Sequence, residues 1–534
     1  MNLILFNGIV HTMQGEEVVS AVAADKGVIV AAGGDEEILA LRTGITNAVD
    51  LEGKLLIPGF NDSHLHILNY GLSKRMLDLN GSESIMDIIS RGRNYINMNP
   101  GAKAVLGWGW NQDSFADHTL PSKQELDKIS RKLPLVFYRV CGHCAVVNSQ
   151  ALEFFSISKN TPPPGGSFDW ETGIFYEAAL DLLKFPALDI LEIKEILKEA
   201  TADMVKKGIT SAQSDDFGFA HYQDIINAYT ELAGEGELPV RIYQQCFFDK
   251  IADIGKFFQS VGDFTASSPY YELGPVKLLA DGSLGARTAF LSIPYSDDSS
   301  TKGIACFTQE ELNEIIFLCQ MKGHDAAIHC IGYGALAMAL ESLEKAQAAF
   351  ADVGEKLRHG IVHCQISDKP LLEKLKALDL IAYIQPIFLD YDIHIAEKRV
   401  GRELAQTSYN FKTLLDLGVN LALGSDCPVE PFDPLPNIYC AVTRKDLQGL
   451  PEGGFQAKEA LSVHEAVDCY TAGSAYCSHQ ENIKGKLVKG FLADMVVIDK
   501  DIFSIDPEEI KNACVKMTII NGNIVHAEDS GLSP

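Results

Sequence analysis

His64 and His66 stand two apart in Ile57-Pro-Gly-Phe-Asn-Asp-Ser-His-Leu-His-Ile67. Alternate side chains of an extended strand face the same way, so two imidazoles at this spacing can share one metal ion. A lone His-x-His pair is a weak signal, and its weight comes from the residues further along the chain. Lys277 lies in Val-Lys-Leu-Leu-Ala-Asp-Gly-Ser, His329 in Ala-Ile-His-Cys, His363 in Ile-Val-His-Cys-Gln and Asp426 in Leu-Gly-Ser-Asp-Cys-Pro. Each belongs to a short apolar run of strand character. Neutral imidazole and carboxylate suit Zn²⁺ or a similar divalent ion, and four histidines with one aspartate suffice for two ions if something bridges them. Lys277 is the odd member. A protonated lysine is repelled by a dication, so Lys277 must be neutral, elsewhere, or converted to an anion. Reaction with CO₂ would make it a carbamate, a carboxylate on a long stem able to bridge two metals. The alternative is an ordinary lysine paired with Asp281 or Glu272.

These residues need elements to position them, and the middle of the chain reads as repeated strand then helix. Strands are expected at Gly59 to Ile67, Ile209 to Ser214, Val240 to Phe247, Val276 to Ala280, Ala326 to Cys330, Gly360 to Gln365, Leu380 to Gln385 and Val419 to Gly424. Helical patterns such as Ile193 to Lys207 and Gln309 to Lys322 fall between them. Eight such units predict a closed (β/α)8 barrel, the fold whose chemistry sits at the C-terminal ends of its strands. The surplus of residues between the first two strands, about 70–200, is too long for a loop and predicts an inserted α/β subdomain folding over the pocket. Residues 1–57 alternate short β-rich runs with Gly and Asp turns. Matching strands near the other end include a pair joined by Asn521-Gly522. A β-sandwich built from both chain ends, 1–57 and 482–534, is therefore expected around a barrel at 58–481.

With 534 residues, 46% of them hydrophobic, the chain can bury a large core. A formal net charge of −27 argues against nucleic acid or an anionic membrane surface as partner. A small-molecule substrate is expected instead. No apolar stretch reaches the roughly 20 residues that span a bilayer, and the first residues lack a basic leader. Twelve cysteines scattered through so long a chain form no disulfide framework. A cytoplasmic, reducing setting is expected, and a homodimer is compatible with it.

Taken together, Pro58-Gly-Phe-Asn-Asp-Ser-His-Leu-His66, Lys277-Leu-Leu-Ala-Asp-Gly-Ser283 with Arg287-Thr-Ala289, Ile328-His-Cys-Ile-Gly332, Val362-His-Cys-Gln365, Gly424-Ser-Asp-Cys-Pro428 and Leu487 to Val496 resemble the amidohydrolase superfamily. Within it they resemble amidohydrolase family 3, the YtcJ-like metal-dependent hydrolases. The resemblance implies a distorted TIM barrel with a β-sandwich. It implies His64 and His66 on the more buried metal, His329 and His363 on the other, Lys277 as the bridging carbamate, and Asp426 at the end of the eighth strand. One or two divalent ions per chain follow. Cys330 and Cys364 depart from the pattern, since alanine is expected after each histidine.

The implied chemistry is hydrolysis of a non-peptide carbon–nitrogen bond in an N-acyl, formamide-like or cyclic amide compound. Metals depress the pKa of bound water toward ~7, giving a hydroxide that attacks the carbonyl, and Asp426 carries the proton to the leaving nitrogen. Deamination of a small ring is the enzymatic alternative. A catalytically silent regulatory or binding protein on the same fold is the other. Cys141-Gly-His-Cys144 looks like a redox motif, but its surroundings resemble the family's Gly-His element, which makes His143 a catalytic or substrate-binding candidate. Trp108, Trp110, Asn111 and Gln112 could contact an apolar substrate from the insert, or Trp108 and Trp110 could pack a hairpin core. Arg287 is a further substrate-binding candidate. Glu177 rivals Lys277 as the anionic bridge, and Asp215 and Asp216 read as surface residues or as partners orienting a histidine.

Overall fold

The computed structural model describes residues 1–139, 144–161, 167–183, 187–248, 250–260, 268–350 and 356–528, without the side chains of residues 113, 177, 178 and 181. Eight parallel strands follow one another in chain order around a barrel: β1 (Phe60–Leu65), β2 (Ile209–Asp215), β3 (Arg241–Phe247), β4 (Tyr271–Leu279), β5 (Ala326–Cys330), β6 (Gly360–His363), β7 (Ile381–Ile384) and β8 (Asn420–Leu423). Parallel strands covered on both faces read as apolar runs, as in Ala326–Cys330, Ile381–Ile384 and Asn420–Leu423, whereas Phe60–Leu65, Ile209–Asp215 and Arg241–Phe247 carry buried polar residues as well. The helices between them carry their own stop signals. Gln309–Lys322, between β4 and β5, starts at a capping box formed by Thr308 and Glu311 and ends at Gly323, whose φ of 70° suits a residue without Cβ.

β1 and β8 meet through the segment that follows β8. The Asp426 amide donates to the His64 carbonyl at 2.8 Å, and the His66 amide donates to the Cys427 carbonyl at 2.8 Å. Gly424 lies in this seam, where an added Cβ would come within 2.6 Å of the His64 nitrogen.

The two chain ends build a pair of sheets. Leu3–Phe6, Ala21–Asp25, Val28–Gly33 and Asn47–Asp50 form one; Ile9–His11, Val18–Val19, Leu55–Pro58, Met495–Ile498, Val515–Ile520 and Asn523–Ala527 form the other. Leu3, Leu5, Val22 and Ile29 pack on Leu56, Val497, Met517 and Ile519 in one buried core. Each such side chain contributes about 1.5–3 kcal/mol on full burial. The last hairpin turns at Asn521 and Gly522, with φ of 54° and 72°, the backbone that an Asn-Gly turn favours. Arg241 at the start of β3 donates through Nε to Asp494 Oδ2 at 2.7 Å and through Nη2 to Oδ1 at 3.2 Å, tying sandwich to barrel with both side chains buried.

Residues 70–188 form a separate compact unit. Its six-stranded mixed sheet runs Ser167–Asp169, Ile174–Tyr176, Cys144–Val147, Leu135–Arg139, Val105–Trp110, Leu77–Asp78. The expected insert reached to about residue 200, but Asp189 caps a helix, Ile190–Val205, that belongs with the barrel. The Asp189 side chain accepts from the Glu192 amide and Glu192 reaches back, so the boundary was written as a capping box.

Candidate metal centre

His64 is the penultimate residue of β1 and is buried, and His66 follows directly after the strand. Their ring centroids lie 5.2 Å apart. His363, at the end of β6, lies 5.8 Å from His64, and His329 on β5 lies 4.4 Å from His363. Asp426 reaches in from beyond β8. Its Oδ1 stands 3.2 Å from His64 Nε2 and 3.1 Å from His66 Nε2, and its Oδ2 stands 4.0 Å from His363 Nε2. The sequence-predicted histidines and Asp426 therefore converge at the C-terminal end of the barrel.

The remaining ring nitrogens are already engaged, and their partners decide which atoms are left to hold a metal. Gln245 donates its Nε2 to the Ser63 carbonyl, which turns its Oε1 to His64 Nδ1 at 2.7 Å. Gln385 donates to the Tyr383 carbonyl and turns its Oε1 to His363 Nδ1 at 2.8 Å. His66 Nδ1 donates to the Asp215 carbonyl at 2.7 Å. In each case Nδ1 donates and Nε2 faces the centre; the Nε2 atoms of His64 and His66 meet Asp426 Oδ1 and offer a lone pair to a metal only once unprotonated. His329 is reversed: its Nε2 donates to the Gly282 carbonyl at 3.2 Å, which frees Nδ1. Asp281, 3.3 Å from that same Nε2, is held by amides of Phe290, Ile331 and Gly332.

This donor set fits a divalent ion. The candidate ligand atoms of His64, His66 and Asp426 all lie within 4.8 Å of one another. Burial would push the Asp426 carboxyl up, but the His64 and His66 hydrogen bonds hold it well below the usual carboxylate range. Burial opposes charge on His66, yet Asp426 and Asp215 outweigh it and raise the imidazole to about 9. A dication would displace that proton. Burial and the neighbouring His329 lower His363 far below its usual value, leaving a neutral donor. His363 and Asp426 also take left-handed backbone, φ 75° and 59°, a conformation that costs on the order of 1–3 kcal/mol in a non-glycine residue and gathers at functional sites.

Lys277 is buried, with Nζ 3.6 Å from Asp215 Oδ2. Neither Asp281 nor Glu272 is its partner, so the expected ion pair is corrected. Asp215 and Asp216 are not surface residues: both are buried at the end of β2. Asp216 accepts from the Leu68 amide, Ser214 and Tyr229. Cys330 and Cys364 are buried thiols whose burial pushes both up, Cys364 to about 12, which favours the neutral thiol.

Other expected site residues lie elsewhere. Arg287 forms a bidentate pair with Asp297, Nε to Oδ1 at 3.0 Å and Nη2 to Oδ2 at 2.9 Å, which commits its guanidinium to the protein. Trp110 is fully buried and its indole donates to the Phe137 carbonyl at 2.8 Å. That corrects its expected contact with substrate: it packs the core of the 70–188 unit. Trp108 is 40% exposed and lies against Tyr138. Asn111 and Gln112 accept from Arg139. His143 and Cys141 lie outside the described residues, as does the Glu177 side chain.

Sequence reasoning missed Gln245 and Gln385. The signal was present as polar residues at the C-terminal ends of otherwise apolar barrel strands.

Residues 47–526 match the amidohydrolase family. The chain belongs to that family. It is 33% identical to YtcJ of Bacillus subtilis (strain 168) over 98% of this chain and 99% of that one. A solved metal-dependent hydrolase from Pyrococcus horikoshii OT3 shares 31% identity, with a TM-score of 0.80 over 95% of this chain and 99% of that one. An N-substituted formamide deformylase of Arthrobacter pascens is 23% identical over 98% of this chain and 97% of its own length. As a member of the amidohydrolase family the protein is a metal-dependent hydrolase, and its eight-stranded barrel with accompanying sheets is the fold of that family.

Proposed function

We propose that this amidohydrolase cleaves a carbon–nitrogen bond other than a peptide bond, in an N-acyl, formamide-like or cyclic amide substrate. The observation that carries the reading is the gathering of His64, His66 and Asp426 ligand atoms within 4.8 Å of one another at the barrel mouth, with His363 Nε2 4.0 Å from Asp426 Oδ2. The relative named for deformylating N-substituted formamides supports the choice of bond. A bound divalent ion, Zn²⁺ by donor chemistry, supplies Lewis acidity and makes water acidic enough to act as a nucleophile near neutral pH.

In this proposal His64 and His66 would hold one ion and His329 and His363 a second, and Lys277, once converted by CO₂ to a carbamate, would supply the anion shared between them. Gln245, Gln385 and the Asp215 carbonyl keep the imidazoles in register. Asp426 Oδ2 carries no hydrogen bond among the described residues, so it can accept the proton of the attacking water and deliver it to the departing nitrogen. A nitrogen that leaves protonated departs far more readily than an amide anion.

No helix among the described residues is long and apolar enough to cross a membrane. The free thiols, most of them buried, support a reducing, cytoplasmic setting. The test is elemental analysis beside turnover of N-formyl amines, N-acyl compounds and cyclic amides. His64→Asn should lose metal and activity together, and full metal content in that variant would sink the assignment. One tightly bound ion with release of ammonia from a ring would favour the deaminase reading. Full occupancy with no turnover across the panel would favour a silent regulatory protein.

A further inference from the structure

Beside the metal centre lies a cavity of about 190 Å³ lined by Gln365, Phe388, Tyr391, Asp392, Val429 and Glu430 among others. Two contacts join it to the proposed ligands. Phe388 stacks on His363, centroids 5.5 Å apart, and the Val429 amide donates to the Asp426 carbonyl at 2.9 Å. A larger cavity of about 650 Å³, lined by Ser292, Tyr333 and Arg402, includes none of the histidines.

The carboxyls of Asp392 and Glu430 and the amide oxygen of Gln365 are the acceptors among the groups lining the smaller cavity, beside the hydroxyls of Ser283 and Tyr391. Gln365 is 3% exposed, and its Nε2 donates to Asp392 Oδ2 at 2.6 Å and to the Tyr409 hydroxyl. Its Oε1 is buried and accepts no hydrogen bond among the described residues. A buried acceptor left without a donor costs about 1–3 kcal/mol, so a ligand donor there removes a standing penalty. Glu430 forms no ion pair or hydrogen bond among the described residues, and Asp392 is met only by Gln365 and Tyr409. Asp390, whose Oδ1 accepts from the Leu447 amide, adds a third negative charge nearby. Burial, followed by the charges of Asp390, Asp392 and Asp426, pushes Glu430 up to about 7, and burial pushes Asp392 up to about 6. Neither carboxyl meets a counter-charge among the described residues.

We infer that this cavity is a subsite for a cationic nitrogen of the substrate, an ammonium or guanidinium group on a short chain, held between Glu430 and the Gln365 Oε1. The inference rests on the proposed hydrolysis, since it places the scissile amide at the histidines and a second, basic nitrogen a few carbons away. The space is large enough for such an arm, being the share of roughly six waters at ~30 Å³ each. Phe388 and Val429 would flank the methylenes while the charge reaches the acids. The substrates selected would be mono-acylated or formylated diamines and similar basic amides.

Calorimetric titration of the purified full-length enzyme with n-butylammonium chloride, and with 1-butanol as the neutral probe of equal length, tests this without turnover. The ammonium should bind at least tenfold more tightly than the alcohol, and Glu430→Gln should bring the two within twofold. A smaller preference in the wild type overturns the inference, as does a Glu430→Gln protein that keeps it. If that variant does not fold, the wild-type ratio and the position of butylammonium in a crystal structure decide: density between Glu430 and Gln365 supports the subsite, and density elsewhere refutes it. Binding here with no amide hydrolysis would fault the proposed reaction instead.

Discussion

The Asp426 amide and the His64 carbonyl share a 2.8 Å hydrogen bond across the seam between the first and last barrel strands. The proposed proton carrier and a proposed metal ligand are thus fixed to one another through backbone. Asp62 reinforces the seam, its Oδ1 accepting from the amides of His64 at 3.2 Å and Ser425 at 3.1 Å. A carboxylate on an untethered loop would have to be ordered at each turnover.

If the glutamine amides set the imidazole tautomers, Gln245→Leu should weaken metal binding by about 10–100-fold while leaving the fold intact. Equilibrium dialysis against Zn²⁺, beside circular dichroism, reads both. Wild-type affinity in a folded variant would refute the tautomer argument.

Carboxylation of Lys277 has a direct signature. Enzyme reconstituted with metal and ¹³C-bicarbonate should give a carbamate carbon resonance that disappears on acidification, and Lys277→Ala should lose both the resonance and one of two ions. The competing state is also defined, because Asp215 Oδ2 lies 3.6 Å from Nζ and can pair with an ammonium. An electron-density map with two ions and a bare Lys277 amine would rule out the bridge.

Arg241 and Asp494 are buried together, so removing one leaves the other as an uncompensated charge. Asp494→Ala should lower unfolding stability by about 3–5 kcal/mol, measured by urea denaturation. Arg241→Met with Asp494→Leu should cost much less than the sum of the single changes. Additive losses would mean that the two residues act independently.

Asp392 should tilt the pH dependence of stability. Burial raises its folded-state value from 3.8 to about 6, so the folded chain binds the proton more tightly than the unfolded chain between those values. The stabilising contribution is present below about pH 4 and is lost as pH rises through about 6, a difference on the order of 3 kcal/mol. Asp392→Asn should flatten that slope in denaturant titrations at pH 4, 5, 6 and 7. An unchanged slope would show that Asp392 does not cause it.

Much of the barrel was legible because several strands are short buried runs with a residue of chemical type in or just beyond their C-terminal ends. His64, His66, His329, His363 and Asp426 could be read for the same reason, since a polar side chain closing such a run has few roles other than lining the mouth. Asp215 was less legible: Ser214-Asp215-Asp216 looks like the start of an exposed turn, and only the closed barrel shows that it faces Lys277. Trp110 was ambiguous for a related cause. A Trp-Gly-Trp run puts the two indoles on one side only if the strand is regular, but Gly109 takes φ 107° and the pairing shifts between Trp108 and Trp110, leaving one exposed and the other buried. Gln245 and Gln385 act through geometry between strands, which no local pattern encodes.

The antiparallel pairing of Leu55–Pro58 with Met495–Ile498 sets a schedule for biosynthesis. At about 5–20 residues per second a ribosome needs roughly 20–90 s to make the chain between those strands. Through that interval Leu55, Leu56 and Ile57, all fully buried at the end, have no partner on the 495–498 side. The nascent protein carries an open apolar edge until residues 495–498 emerge, so a slow docking of that strand should weigh on its yield.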